Sequence, residues 1–263
     1  YMCHAIMDHT FEQYIDSGCI QYFEEQKAAG RIKHLGFSTH ASIPNFKKFV
    51  DAHKWDFVLT QLNIYDWMYG PAKEIYTYLK ERGIPTMAMG PARGGRIIDL
   101  SPDAKKILSD AKPEWSTAEW AFRWVKNRSN NLVVFSGMST MQQIEDNIKF
   151  FEDENGLTDE QNAAFEKAIE TFKADMQVPC TFCNYCVELN TCPIKIDIPR
   201  YIGVYNTLKV DGDFYANREY DKIESEGKPE DCDYCGICVQ RCPQNIGIPA
   251  VMDDVAEMVN SRK

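Results

Sequence analysis

Cys180-Thr181-Phe182-Cys183-Asn184-Tyr185-Cys186, closed by Cys192-Pro193, and Cys232-Asp233-Tyr234-Cys235-Gly236-Ile237-Cys238, closed by Cys242-Pro243, are the stretches that decide the architecture of this 263-residue chain. The second run has the spacing C-x2-C-x2-C-x3-C-P, which is that of bacterial ferredoxins. A cubane cluster needs four thiolates at the corners of a tetrahedron. Three closely spaced cysteines on a tight loop supply three of them, and in two-cluster proteins the last cysteine of each run serves the other cluster. The first run carries five residues between Cys186 and Cys192 instead of three. That longer gap is tolerable if Cys192 need not close on its own triplet. The expected sets are Cys180, Cys183, Cys186 and Cys242 for one four-iron, four-sulfur cluster, and Cys232, Cys235, Cys238 and Cys192 for the other.

The runs repeat each other beyond their cysteines. Cys192 to Pro199 and Cys242 to Pro249 both read C-P-x-x-I-x-I-P, 50 residues apart, as two pseudo-symmetric half-sites would. The 39 residues between Cys192 and Cys232 exceed a ferredoxin hairpin and read as helices over 198–208 and 214–223. The expected module is therefore all-helical. Structural zinc is the alternative, but zinc sites usually show separated cysteine pairs rather than triplets followed by Cys-Pro.

Working outward, the other two of the ten cysteines, Cys3 and Cys19, lie far upstream. A disulfide scaffold would staple the whole chain; this distribution instead points to a metal-binding module appended to a reduced, cytoplasmic domain, with Cys3 and Cys19 buried as thiols. The net charge of -10 argues against nucleic acid or an anionic membrane as the main partner. No segment approaches the roughly 20 apolar residues that span a bilayer, and the first residues show no signal-peptide pattern.

Residues 1–175 alternate strand and helix signals. Apolar runs start near Tyr1, Ile32, Phe57, Ile84 and Leu132. Between them lie amphipathic segments with start and stop signals. Thr10 to Gln13 reads as a capping box opening one helix that carries Phe11, Ile15, Cys19 and Phe23 and closes at Gly30. Further helices open at Ser42-Ile43-Pro44, at Pro71, at Ser101-Pro102, at Ser116 to Glu119, at Thr140 to Gln143 and at Thr158 to Gln161. Five strands with helical crossovers imply a parallel sheet. Periodicity alone does not separate an open doubly wound sheet from a barrel. Polar or glycine-rich segments gather at the strand ends: His4, 36–40, 61–63, 90–95 and 136–140. In parallel barrels the chemistry sits at that face, often with a phosphate site after the last strands, and a helix starting at Thr140 offers free N–H groups to a phosphate. No G-x-G-x-x-G follows any strand, which weakens a Rossmann reading.

At Gly137-Met138-Ser139-Thr140-Met141-Gln142-Gln143-Ile144-Glu145-Asp146-Asn147 the chain resembles the aldo-keto reductases, and as a whole it resembles their bacterial subfamily with a C-terminal 4Fe-4S domain. The resemblance implies the last five β/α units of a TIM (β/α)8 barrel over 1–175, followed by an all-α, two-cluster ferredoxin-like domain over 176–263. It implies that Gly137, Ser139, Gln143, Asp146 and Asn147 grip the phosphate and adenosine of NADP(H). Ser38, within Gly36-Phe37-Ser38, and Gln61 would hold the nicotinamide amide, and Pro91, Ala92 and Gly94 would lie beside the pyrophosphate. His4 matches the histidine of the family's Asp-Tyr-Lys-His tetrad, although a strand-end histidine alone is more often an ordinary satisfied residue. The family's Asp, Tyr and Lys lie on strands preceding this histidine, so the chain is expected to be an N-terminally truncated fragment, with exposed apolar sheet edges and little carbonyl reductase activity of its own.

The implied function is an NADP(H)-dependent oxidoreductase acting on a small carbonyl or alcohol, with clusters that pass electrons to a redox protein partner or brace the C-terminus. The rival is an electron-transfer protein whose barrel remnant is a docking or nucleotide-binding scaffold. Hydride carries two electrons and each cluster takes one, and the sequence has no flavin motif to mediate. Elsewhere the readings are plainer: Trp115, Trp120 and Trp124 as packing, Arg93 as a phosphate contact or a solvated side chain, and Glu152 to Glu154 as solvated surface.

Overall fold

A computed structural model describes residues 2–128, 130–175, 178–188, 191–211 and 213–260. Tyr1, where the first apolar run begins, lies outside the described residues. The chain divides into two compact units, Tyr1–Ile169 and Glu170–Lys263.

In the first unit five strands, β1 (Met2–Ile6), β2 (Gly36–Thr39), β3 (Phe57–Gln61), β4 (Thr86–Met89) and β5 (Asn131–Val134), form one sheet in the order β1-β2-β3-β4-β5. Every neighbouring pair is parallel. The order never reverses, so the sheet has no switch point of the doubly wound kind. This is the winding of a (β/α)8 barrel, five consecutive β/α units of which are present. The first two crossovers carry helices α1 (Phe11–Asp16) and α2 (Cys19–Ala28), then α3 (Ile43–Asp51). Next come α4 (Ile64–Tyr69) with α5 (Ala72–Glu81), and α6 (Pro102–Ala111) with α7 (Thr117–Lys126). Two more, α8 (Met141–Glu152) and α9 (Asp159–Asp175), follow β5.

The core beneath β1 to β4 is aromatic. Phe37 from β2 meets Phe49 of α3 edge-on at 4.9 Å, and Phe49 stacks on Trp55 at 5.1 Å. Such pairs add stability beyond their buried area. Gly36 is required here, because a Cβ at that position would stand 2.5 Å from the Phe57 carbonyl oxygen and ring. Trp120 and Trp124 on α7 are fully buried, as packing residues. The far edge is bare: Leu132, Val133 and Phe135 are 60 %, 43 % and 48 % exposed, the apolar sheet edge expected of an open arc.

Several local expectations fail for identifiable reasons. The segment after Thr10 is two helices, interrupted at Gly18, which takes a left-handed φ of 72°. Neither helix buries a residue fully, and Cys19 is only half-buried. Thr10 does not cap its helix. Its hydroxyl accepts from the Met7 N–H at 2.9 Å and donates to the Ala5 carbonyl at 3.1 Å, so the turn leaving β1 has consumed it. The second strand starts at Gly36, not near Ile32, so Ser38 lies within it. His4 lies in the middle of β1. The acidic run 152–154 is not all solvated surface. Arg123, buried on α7, donates to Glu119 at 2.8 Å and to Asp153 at 2.6 Å, and the hydrogen bond from the Asn155 N–H and this guanidinium together hold Asp153 down to about 2.

The second unit is helical: α10 (Ile198–Asp211), α11 (Asp213–Tyr220), a 3-10 turn at Pro229–Asp231, α12 (Ile237–Arg241) and α13 (Ile248–Asn260). Among the described residues its strand-like pairing is a single bridge, Ile196 to Gly227. Its core joins Ile198, Ile202 and Val204 of α10 to Ile248, Met252 and Val255 of α13.

Candidate functional site

The unit of residues 1–169 places chemistry-bearing residues on three adjacent strands. His4 on β1 and Ser38 on β2 meet directly, with His4 Nδ1 3.0 Å from Ser38 Oγ. The backbone is bent to bring this about. The β1–β2 register shifts between Cys3 and Ile6, and Ala5 adopts a φ of 55°. A bulge of this kind re-aims a side chain, and a left-handed alanine stores strain that the surroundings must hold. The Ala5 N–H donates to Ser38 Oγ at 2.7 Å and the Tyr14 hydroxyl donates to the His4 carbonyl at 2.8 Å. His40, directly after β2, is half-buried, and desolvation followed by the nearness of His4 lowers its pKa to about 4.

Gln61, ending β3, faces a buried carboxylate that residue order alone does not single out. Asp66, at the start of α4, accepts from Gln61 Nε2, from Asn63 Nδ2 at 2.7 Å and from Arg93 Nε at 3.0 Å. Asn63 caps α4 by accepting from the Asp66 N–H at 2.9 Å, and also donates to the Gly90 carbonyl at 3.0 Å. This ties the end of β3 to the 90–95 loop, so Gln61 and the Pro91-Ala92-Gly94 segment are brought together. Arg93 is not the solvated side chain that was one of its two expected roles. It lies buried with its guanidinium 4.2 Å from the centre of the Tyr65 ring. The available signal was Asn-x-x-Asp directly after a strand, an N-cap pattern.

The Gly137–Asn147 segment lies at the surface where α8 begins. Thr140 and Gln143 form a reciprocal capping box. Gln143 Oε1 accepts from the N–H groups of Ser139 at 2.8 Å and Thr140 at 3.1 Å. Asp146 accepts from Gln142 at 2.9 Å, and Asn147 donates to Ser136 at 2.9 Å. These side chains thus brace one another around an exposed helix N-terminus, where N–H groups of the first turn favour an anion.

In the second unit the two cysteine runs fold as repeats. Asn184 and Gly236, one residue past the middle cysteines, have φ of 65° and 75°. Phe182 and Tyr234 match at 56° and 60°, and Lys195 and Asn245 at 61° and 52°. The turns after Cys-Pro match as well: Lys195 N–H donates to the Cys192 carbonyl at 3.0 Å, and Asn245 N–H to the Cys242 carbonyl at 3.1 Å. The thiols sort across the runs. Cys186 is pushed up by burial, then by the neighbouring Cys180, Cys183 and Cys242. Cys238 is pushed up to about 11 by burial, then by Cys235, Cys232 and Cys192. Cys242 therefore stands with the first triplet and Cys192 with the second. Cys192, Cys232, Cys235 and Cys238 also line one small, mostly apolar cavity.

This donor set fits an iron–sulfur cluster. Crowded, desolvated thiols repel one another as thiolates, and a cationic iron core relieves that repulsion when it binds. Among the described residues no three His, Cys, Asp or Glu side chains stand close enough to grip a single metal ion. A cubane spreads its thiolates more widely than one ion does.

Residues 1–170 match the family model described as aldo/keto reductase family, and residues 179–246 match that of a 4Fe-4S dicluster domain. Among solved structures the chain is similar to the holo form of aldo-keto reductase AKR11C1 from Bacillus halodurans (21% identity, TM-score 0.49, 65% of this chain and 57% of that one). It is also similar to the glycerol dehydrogenase AKR11B4 from Gluconobacter oxydans (16%, 0.48, 65% and 58%). The chain spans less than two thirds of the length of either structure. No curated protein matches it.

Proposed function

The chain belongs to the aldo/keto reductase family and carries a 4Fe-4S domain, and from that premise we propose an NADP(H)-dependent oxidoreductase with two cubane clusters, acting on a small carbonyl or alcohol. The observation that carries the reading is the placement of His4, Ser38 and Gln61 on the neighbouring strands β1, β2 and β3, with the 90–95 loop tied to the same edge. In this reading Ser38 and Gln61 hold the nicotinamide amide, and Pro91, Ala92 and Gly94 border the pyrophosphate. Gly137, Ser139, Gln143, Asp146 and Asn147 take the phosphate and adenosine at the start of α8, and His4 orients the carbonyl oxygen. The bound nicotinamide supplies the hydride; the residues named bind it, orient it and hold the oxygen.

Cys180, Cys183, Cys186 and Cys242 are the ligands of one cluster, and Cys232, Cys235, Cys238 and Cys192 of the other; the sorting of the thiols supports this crossing. The unpaired cysteines suit a reduced, cytoplasmic setting. Among the described residues no helix is long and apolar enough to cross a membrane. The Asp, Tyr and Lys that the family resemblance implies have no matching positions in the 263 residues. We therefore take these 263 residues by themselves to bind nucleotide while turning over carbonyl slowly.

One observation favours a second reading, in which the clusters are the working part. Cys183 and Cys235 are exposed, which would let a redox protein partner exchange electrons at the surface. Anaerobic titration of the iron-loaded chain separates the two. NADPH binding seen by fluorescence, with cluster absorbance unbleached, supports the reductase reading. Bleaching of the clusters by NADPH, or by a reduced ferredoxin without any nucleotide affinity, supports electron transfer. Robust carbonyl reduction by these residues alone would overturn the proposal of slow turnover.

A further inference from the structure

We propose that Ser38 is a positioning residue that sets the tautomer of His4, placing its proton on Nε2. The argument is a count of hydrogen-bonding capacity. A serine hydroxyl has one hydrogen and two acceptor sites. One acceptor site of Ser38 is filled by the Ala5 N–H at 2.7 Å, a donor that the left-handed turn at Ala5 aims directly at it. The remaining close partner is His4 Nδ1, at 3.0 Å. Giving the hydroxyl hydrogen to Nδ1 satisfies the hydroxyl as donor and as acceptor. The reverse arrangement, with Nδ1–H donating, would make Ser38 accept twice and leave its own hydrogen seeking an acceptor at a site only 2 % exposed. Such an unmade bond costs about 1–3 kcal/mol, enough to decide between two tautomers of similar intrinsic energy.

The backbone that carries the ring is held on both sides. The Tyr14 hydroxyl fixes the His4 carbonyl at 2.8 Å and the Ala5 N–H fixes the next residue, and the contact that turns Nδ1 towards β2 is the one with Ser38 Oγ at 3.0 Å. His4 itself is exposed, and among the described residues Nε2 has no hydrogen-bond partner. A protonated Nε2 is a donor, the role needed to orient a carbonyl oxygen; Nδ1–H with a bare Nε2 would repel one. This consequence rests on the reductase reading above, whereas the tautomer does not. The same count limits Ser38 towards a nicotinamide amide: it retains one acceptor site and no hydrogen, so it could accept from the amide NH2 but not donate to the amide oxygen.

The test is long-range 1H–15N correlation on the full chain with 15N-labelled histidine, at a pH where His4 is neutral. His4→Gln assigns the signal, and the other four histidines serve as internal controls of folding. We expect His4 to show the Nε2–H pattern, Ser38→Ala to convert it to a tautomer mixture or to Nδ1–H, and Ser38→Thr, which keeps the hydroxyl, to restore it. An Nδ1–H pattern in the parent chain overturns the proposal. So does a Ser38→Ala chain with unchanged His4 signals. If Ser38→Ala fails to fold, the parent and Ser38→Thr spectra still decide. NADPH titration of the same samples reads the reductase proposal separately: loss of nucleotide binding with the Nε2–H pattern intact sinks that proposal and leaves this one standing.

Discussion

Asp66→Ala is the change whose consequence follows most directly from the geometry. The carboxylate balances an Arg93 side chain that is 1 % exposed, and is itself 10 % exposed. Removing one partner of a buried ion pair costs about 3–5 kcal/mol. The bond from Gln61 Nε2 to this carboxylate is lost as well, while Asn63 keeps its bond to the Gly90 carbonyl at 3.0 Å. The Tyr65 ring, 4.2 Å from the guanidinium, offsets part of the loss through cation–π attraction. The net cost comes to about 4 kcal/mol, or about a thousandfold in the unfolding constant of the first unit. With a urea dependence of about 2 kcal/mol/M, the midpoint should fall by about 2 M. The five tryptophans all lie between residues 55 and 124. Tryptophan fluorescence therefore follows the unit Tyr1–Ile169 alone, which keeps the two units from blurring one transition. The double variant Asp66→Leu/Arg93→Met removes both charges and should recover most of the loss. A midpoint shift under about 0.5 M for Asp66→Ala, at unchanged slope, would refute the reasoning. A double variant no better than the single would show that packing, not charge, holds this corner.

Two further outcomes are expected. If the clusters are ligated across the runs, Cys242→Ser should leave the same residual electron paramagnetic resonance spectrum as Cys180→Ser, and Cys192→Ser the same as Cys232→Ser. Each variant should fall from about eight irons to about four; a Cys242→Ser spectrum matching Cys232→Ser would disprove the crossing. For His40, burial and then His4 lower the folded pKa to about 4 from an ordinary 6.5. The unfolded chain therefore binds a proton over that interval while the native one does not. This contribution is fully present above pH 6.5 and is lost as the pH falls towards 4, by roughly 3 kcal/mol in all. Urea midpoints read by tryptophan fluorescence between pH 7 and pH 4 should show the decline, and His40→Gln should flatten it; an equal slope in both chains would rule His40 out.

The bacterial spacing of Cys232 to Cys242, the repeated C-P-x-x-I-x-I-P and the capping box at Thr140 were legible from residue order alone. Each is a short-range device, in which a loop or one helical turn places groups only a few residues apart, so spacing along the chain is already geometry. The alternation of five apolar runs with helix signals carried the parallel sheet for the same reason. What residue order could not supply lies between segments. The resemblance nominated His4 and Ser38 separately, but they meet across 34 residues because β1 and β2 pair in one register with a bulge at Ala5. Arg93, left open between phosphate contact and solvent, is claimed by Asp66 from 27 residues away. Thr10 had the right spacing for a capping box, yet the turn out of β1 took its hydroxyl first. In each case a polar group satisfied itself with whichever partner the folded backbone brought nearest, and only the tertiary structure sets that distance.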